Sequence, residues 1–119
     1  MSKIVVILAS YNGEKFIKEQ ILSILSQTNI DIDLYVFDDC SKDNTINIIK
    51  ELQAKYSNIF LKVNDKNTGS AALNFLNALK YIDTLNYSAE TLYAFSDQDD
   101  IWLTTKLCTA ASYLQNNKN

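Results

Sequence analysis

The chain has 119 residues, 47% of them hydrophobic, and a formal net charge of −3, the size and balance of one soluble globular domain. It lacks the basic excess that marks a nucleic-acid partner. With no histidine and only Cys40 and Cys108 as thiols, it excludes the usual zinc sites and any Ser-His-Asp or Cys-His machinery contained within it. The longest wholly apolar run, Ile4 to Ala9, is too short to span a bilayer and has no secretion-signal cleavage pattern, so a cytoplasmic location is expected.

In chain order, Ile4 to Ala9 is a continuous β-branched and aliphatic run, the pattern of a strand buried on both faces. From Gly13 to about Gln27, Phe16, Ile17, Ile21, Leu22, Ile24 and Leu25 recur at helical spacing, with Lys15, Lys18, Glu19 and Gln20 assigned to the other side. Ile32 to Phe37 reads as a second strand. Asp43 to about Lys55 is then a helix with Ile46, Ile49 and Leu52 inward. Ile59 to Val63 is a third strand, and Ser70 to about Leu85 a helix carrying Leu73, Leu76, Leu79, Tyr81 and Ile82. Thr91 to Phe95 and Leu103 to about Leu114 complete a βαβαβαβα order. Such alternation predicts an α/β fold with a largely parallel, doubly wound sheet. With no proline and only Gly13 and Gly69 available, turns and caps fall to Asn, Asp and Ser, as in Ser41–Asn44 and Asn67–Ser70.

Ligands of open α/β sheets bind beyond the carboxyl ends of the strands. Each predicted strand here ends in a polar cluster: Ser10-Tyr11-Asn12, Asp38-Asp39-Cys40-Ser41, Asn64-Asp65-Lys66-Asn67 and Asp97-Gln98-Asp99-Asp100. The four clusters are therefore expected on one rim. Two like charges 4 Å apart repel by about 4 kcal/mol at an effective dielectric near 20. The carboxylates of the last cluster thus need a solvated turn or a cation, and an oxygen-only set on a ligand rim suits Mg²⁺ or Mn²⁺. Neither the dinucleotide glycine fingerprint nor a P-loop is present.

The stretches ILASYNGEKFIKEQILSILSQT, VFDDCSKDNT, NTGSAALNF and FSDQDDIW resemble, in order and spacing, the amino-terminal half of glycosyltransferase family 2, inverting nucleotide-sugar transferases of the GT-A fold. The DQDDIW form is most similar to the rhamnosyltransferase-like branch that builds bacterial surface polysaccharides. The resemblance implies a Rossmann-like GT-A layer and a UDP- or dTDP-sugar donor. It also implies a saccharide or lipid-linked acceptor, and peripheral membrane association of the full-length protein.

Carried over residue by residue, it makes Asp97-Gln98-Asp99 the D-x-D signature. Asp99 would ligate the metal, and Asp97 would hold the ribose or the metal. Tyr11 would stack on a pyrimidine and Asp39 would accept from the base N3–H, with Ser10 in the same nucleotide site. Asp38 and Asp100 take supporting roles. Cys40 stands where many relatives have glycine, Leu73 where many have arginine, and Leu103-Thr104-Thr105 where proline is common.

The carboxylate base of such enzymes lies beyond the D-x-D segment, so residues 1–119 are expected to form a single nucleotide-sugar-binding domain. The chain would end before the acceptor-binding and catalytic-base segment, leaving the base past Asn119. A catalytically silent nucleotide-binding or scaffold domain of the same fold is the alternative. A receiver-like signalling domain is disfavoured, because its acidic cluster and phosphoacceptor would follow the first and third strands, where Ser10-Tyr11-Asn12 and Asn64-Asp65 stand. Taken singly, Trp102 is expected to pack the start of the fourth helix, Asn67-Thr68-Gly69 to form a turn, and Asn74 to act as a cap or bridging residue.

Overall fold

The computed structural model describes residues 3–27, 30–88 and 90–96. Within them lie β1 (Lys3–Ser10), α1 (Ile17–Leu25), β2 (Asp31–Asp38), α2 (Thr45–Gln53), β3 (Ile59–Val63), α3 (Ala71–Asp83) and β4 (Leu92–Ser96). The predicted fourth helix, Trp102 and the Asp97–Asp100 cluster lie outside the described residues.

The strands form one parallel sheet in the order β3-β2-β1-β4. This is the α/β architecture that the alternation of strands and helices predicts. Register brings the strand ends together: Ser10 pairs with Asp38, Asp38 with Val63, and Ser96 with Leu8. The strand order reverses between β1 and β4, the kind of switch point at which open α/β sheets leave a crevice for ligands.

Side-chain alternation along the strands divides the core. Ile4, Val6 and Leu8 of β1, with Ile32, Leu34 and Val36 of β2, pack beneath Ile17, Ile21 and Ile24 of α1 and Ile49 and Leu52 of α2. Val5, Ile7, Tyr35 and Phe37 face the other way, onto Ala78 and Ile82 of α3. Complete burial of an isoleucine or valine contributes roughly 1.5–3 kcal/mol, so among the described residues the face carrying α1 and α2 holds most of the hydrophobic stabilisation.

One sequence expectation is corrected here. Gln20, assigned to the solvent side of α1, is fully buried, because residues i, i+3, i+4 and i+7 from Ile17 (Ile17, Gln20, Ile21, Ile24) form the inner stripe. In α3 the buried face is Asn74, Ala78 and Ile82, four residues apart, whereas Leu73, Leu76 and Leu79 are exposed.

Helix starts are later than predicted for reasons of local hydrogen bonding. The N–H groups of Phe16 and Ile17 both donate to the Gly13 carbonyl, at 3.0 and 2.9 Å, making residues 14–16 a turn. Asp43 Oδ1 accepts from Thr45 N–H at 3.0 Å in a turn ahead of α2, whose N-cap position is Asn44. Ser70, as predicted, caps α3, its hydroxyl oxygen accepting from Leu73 N–H at 3.3 Å.

Candidate functional site

Ser10 and Asp38 end adjacent strands in register, and Asp39 N–H donates to the Ser10 carbonyl at 2.9 Å. Tyr11 and Asp39 therefore leave the rim side by side. The structure brings these predicted residues together and gives them different tasks.

Asp38 is fully buried. It accepts from the Ser10 hydroxyl at 2.6 Å, the Ser41 hydroxyl at 2.6 Å and the Ser41 N–H at 2.7 Å. It ties the loop after β1 to the loop after β2. Ser10 is also buried and spends both its hydroxyl and its carbonyl on this tie. Tyr11 is 43% exposed and stands on the solvent side of the rim.

The two loops are laced further. Asn12 N–H donates to Ser41 Oγ and Lys42 N–H to Asn12 Oδ1, both at 2.8 Å. Gly13 N–H donates to Thr45 Oγ1 at 2.8 Å. Glu14 N–H reaches Asp43 while Asn44 N–H reaches Glu14, each at 3.2 Å. Asn12 and Cys40 hold the turns in left-handed conformations, with φ of 48° and 65°. An L-residue other than asparagine or aspartate pays roughly 1–2 kcal/mol for that region, which is the physical sense of a glycine at the Cys40 position.

Asp39 is turned toward the third loop. Its Oδ1 accepts from Asn64 Nδ2 at 3.0 Å and Thr68 N–H at 2.8 Å, and its Oδ2 from the Thr68 hydroxyl at 2.8 Å. Burial raises its pKa, but the Thr68 N–H and the Asn64 and Thr68 side chains outweigh burial together and hold the carboxyl below its usual value. Asn64 Nδ2 also donates to Asn74 Oδ1 at 2.9 Å, and Asn74 Nδ2 to the Phe37 carbonyl at 3.0 Å. Asn74 is thus the bridging residue that the sequence allows.

On the other side of the switch point, the Gln20 amide donates to the Ser96 hydroxyl at 3.1 Å. Ser96 directly precedes Asp97, so a buried side chain of α1 anchors the end of β4 at the residue before the acidic cluster. Sequence reasoning misses Gln20 as a site-supporting residue. A polar residue at i+3 inside the Ile17–Ile24 stripe is the available signal. Asp97, Asp99 and Asp100 lie outside the described residues. Among the described residues no group of three or more potential metal ligands converges, and no helix is long and apolar enough to cross a membrane.

The family model for glycosyl transferase family 2 matches residues 5–119, and the chain belongs to that family. The dTDP-rhamnosyl transferase RfbG of Shigella flexneri is 42% identical over 94% of this chain and 38% of its own length. The UDP-Glc:alpha-D-GlcNAc-diphosphoundecaprenol beta-1,3-glucosyltransferase WfgD of Escherichia coli is 37% identical over 86% of this chain and 37% of its own. The chain therefore spans less than two fifths of these relatives.

Residues 1–349 of S. aureus TarS, solved in complex with UDP, superpose with a TM-score of 0.80 at 28% identity, covering 96% of this chain and 32% of that one. The mannosyltransferase PcManGT of Pyrobaculum calidifontis, solved with GDP-Man and Mn²⁺, shares the fold with a TM-score of 0.78 at 21% identity, over 93% and 32% of the two chains. The fold is the GT-A α/β layer.

Proposed function

We propose that residues 1–119 form the donor-nucleotide and metal-binding part of an inverting glycosyltransferase that uses a UDP- or dTDP-sugar. The acceptor would be a saccharide or lipid-linked saccharide in bacterial surface polysaccharide synthesis, and the full-length protein would work at the cytoplasmic face of the membrane. The observation that carries this reading is the pairing of an exposed Tyr11 with an anionic Asp39, released side by side from the carboxyl ends of β1 and β2. An exposed aromatic ring beside a fixed acceptor offers a stacking face and a hydrogen bond to one base edge. The dTDP and UDP-Glc in the names of two relatives and the UDP bound to TarS support a pyrimidine donor.

In this reading Tyr11 stacks on the base and Asp39 accepts its N3–H. Ser10 and Asp38 hold the two loops from beneath. Asp97 and Asp99 supply hard oxygen ligands of the kind Mg²⁺ and Mn²⁺ require, with Asp100 in support. When bound, the ion would neutralise charge developing on the departing nucleoside diphosphate. Asp38 and Asp39 are already engaged by hydrogen bonds, so neither is proposed as the base that activates the acceptor.

Calorimetric titration tests the proposal. Mn²⁺ is expected to bind more tightly with UDP or dTDP present than alone, because phosphate oxygens complete its coordination, and Asp99→Ala is expected to abolish the gain. Equal Mn²⁺ affinity with and without nucleotide would sink the assignment.

A further inference from the structure

A carboxylate offers about four lone-pair positions, two on each oxygen. In Asp39 both positions of Oδ1 are taken, by Asn64 Nδ2 and Thr68 N–H, while Oδ2 accepts from the Thr68 hydroxyl. That hydroxyl also lies 2.9 Å from the Ser70 carbonyl, and its single proton favours the charged acceptor. The next amide, of Gly69, is close enough to help lower the Asp39 pKa, but its hydrogen bond goes to Asn67 Oδ1 at 2.6 Å. Asn64 has no freedom to withdraw. Its amide is also fixed on Asn74 Oδ1, and the buried Asn74 is fixed on the Phe37 carbonyl inside β2.

We infer that Asn64 and Thr68, backed by Asn74, set the base selectivity of the site by leaving Asp39 a single open acceptor position, on Oδ2. This rests on the nucleotide-binding reading above. The imide edge of uracil or thymine presents one N–H between two carbonyls, and one open position satisfies it. Guanine presents two adjacent donors, its ring N1–H and its amino group, which together match the two oxygens of a carboxylate. With Oδ1 filled, the second donor of guanine has to displace Asn64 or Thr68, or remain unpaired in a desolvated site, and a buried unpaired donor is costly. Asn64 and Thr68 are positioning residues that act through Asp39. The selectivity therefore originates in the loop between β3 and α3, on the far side of Asp39 from Tyr11.

The test is competition binding of UDP, dTDP and GDP, each with Mn²⁺, to the protein and four variants. The unaltered protein is expected to prefer UDP and dTDP over GDP by about tenfold or more, the scale of discrimination that an unpaired polar group enforces. Asn64→Ala reopens Oδ1, and Thr68→Val, which is nearly isosteric, releases Oδ2. Each is expected to shrink the preference severalfold, whereas Thr68→Ser keeps the hydroxyl and is expected to retain it. Loss of affinity for all three nucleotides in equal proportion, in both Asn64→Ala and Thr68→Val, would mean mere structural support and would overturn the inference. So would a preference that Asp39→Ala abolishes but that both loop variants leave intact, an outcome that spares the nucleotide reading. A protein with no preference, unchanged by Asp39→Ala, removes that reading itself.

Discussion

At the amino-terminal end of the sheet, Lys3 Nζ lies 3.0 Å from Asp31 and 3.2 Å from Asp33. There the Tyr87 hydroxyl donates to Asp33 at 2.7 Å while meeting the Tyr35 hydroxyl at 2.6 Å. At the carboxyl rim, Asp38 and Asp39 are held by serine and threonine hydroxyls, one asparagine amide and backbone N–H groups. Among the described residues, the ion pairs are at the first end alone.

The difference is one of charge cancellation. Lys3 offsets one of the two carboxylate charges beside it, and the Asp31 hydrogen bond raises the pKa of the lysine. Burial, followed by the Tyr35 and Asp33 hydrogen bonds, pushes the Tyr87 hydroxyl far up and keeps it neutral. Neutral donors at the rim stabilise the anion of Asp39 without cancelling its charge, so its field remains available to a polarised N–H. The first end is tied by opposite charge, and the second holds its carboxylates through neutral donors.

Breaking the rim at its most buried point has the largest expected effect on stability. Asp38→Ala removes three hydrogen bonds and strands the Ser10 and Ser41 donors, for an expected loss of about 3 kcal/mol in urea denaturation.

Acid titration sharpens the comparison next. Because the folded-state pKa of Asp39 is depressed, its contribution is complete above the unfolded value of about 3.9 and is lost as pH falls through the lower folded value. Asp39→Asn is expected to flatten the fall in melting temperature over that acid window, measured by circular dichroism. An unchanged acid profile would mean that the donors of the 64–68 loop do not hold this carboxylate in solution.

The smallest effect belongs to the opposite end. Lys3 and Asp31 are partly exposed, so Lys3→Met is expected to change stability by only about 0–1 kcal/mol, and less at high salt. A loss as large as that of Asp38→Ala would erase the distinction between the two ends.

The rim is legible in the sequence because strand ends can be read from where an apolar run stops, and a parallel sheet places all such ends on one edge. Ser10, Tyr11, Asp38 and Asp39 are found in this way. Gln20 escapes, because periodicity counts apolar residues and a polar side chain in the inner stripe is invisible to that count. Leu73, Leu76 and Leu79 mark α3 as a helix, yet its packing face is Asn74, Ala78 and Ile82, chosen by what lies above Val5, Ile7, Tyr35 and Phe37. Local pattern and motif spacing suffice for the alternation of elements, the common edge of their polar ends and the family of the chain. Which donors reach which carboxylate is a matter of long-range pairing, to which local pattern is blind. Asp39 meets Asn64 and Thr68 across 25 and 29 residues of chain, and only the pairing of β2 with β3 brings those loops within hydrogen-bonding distance.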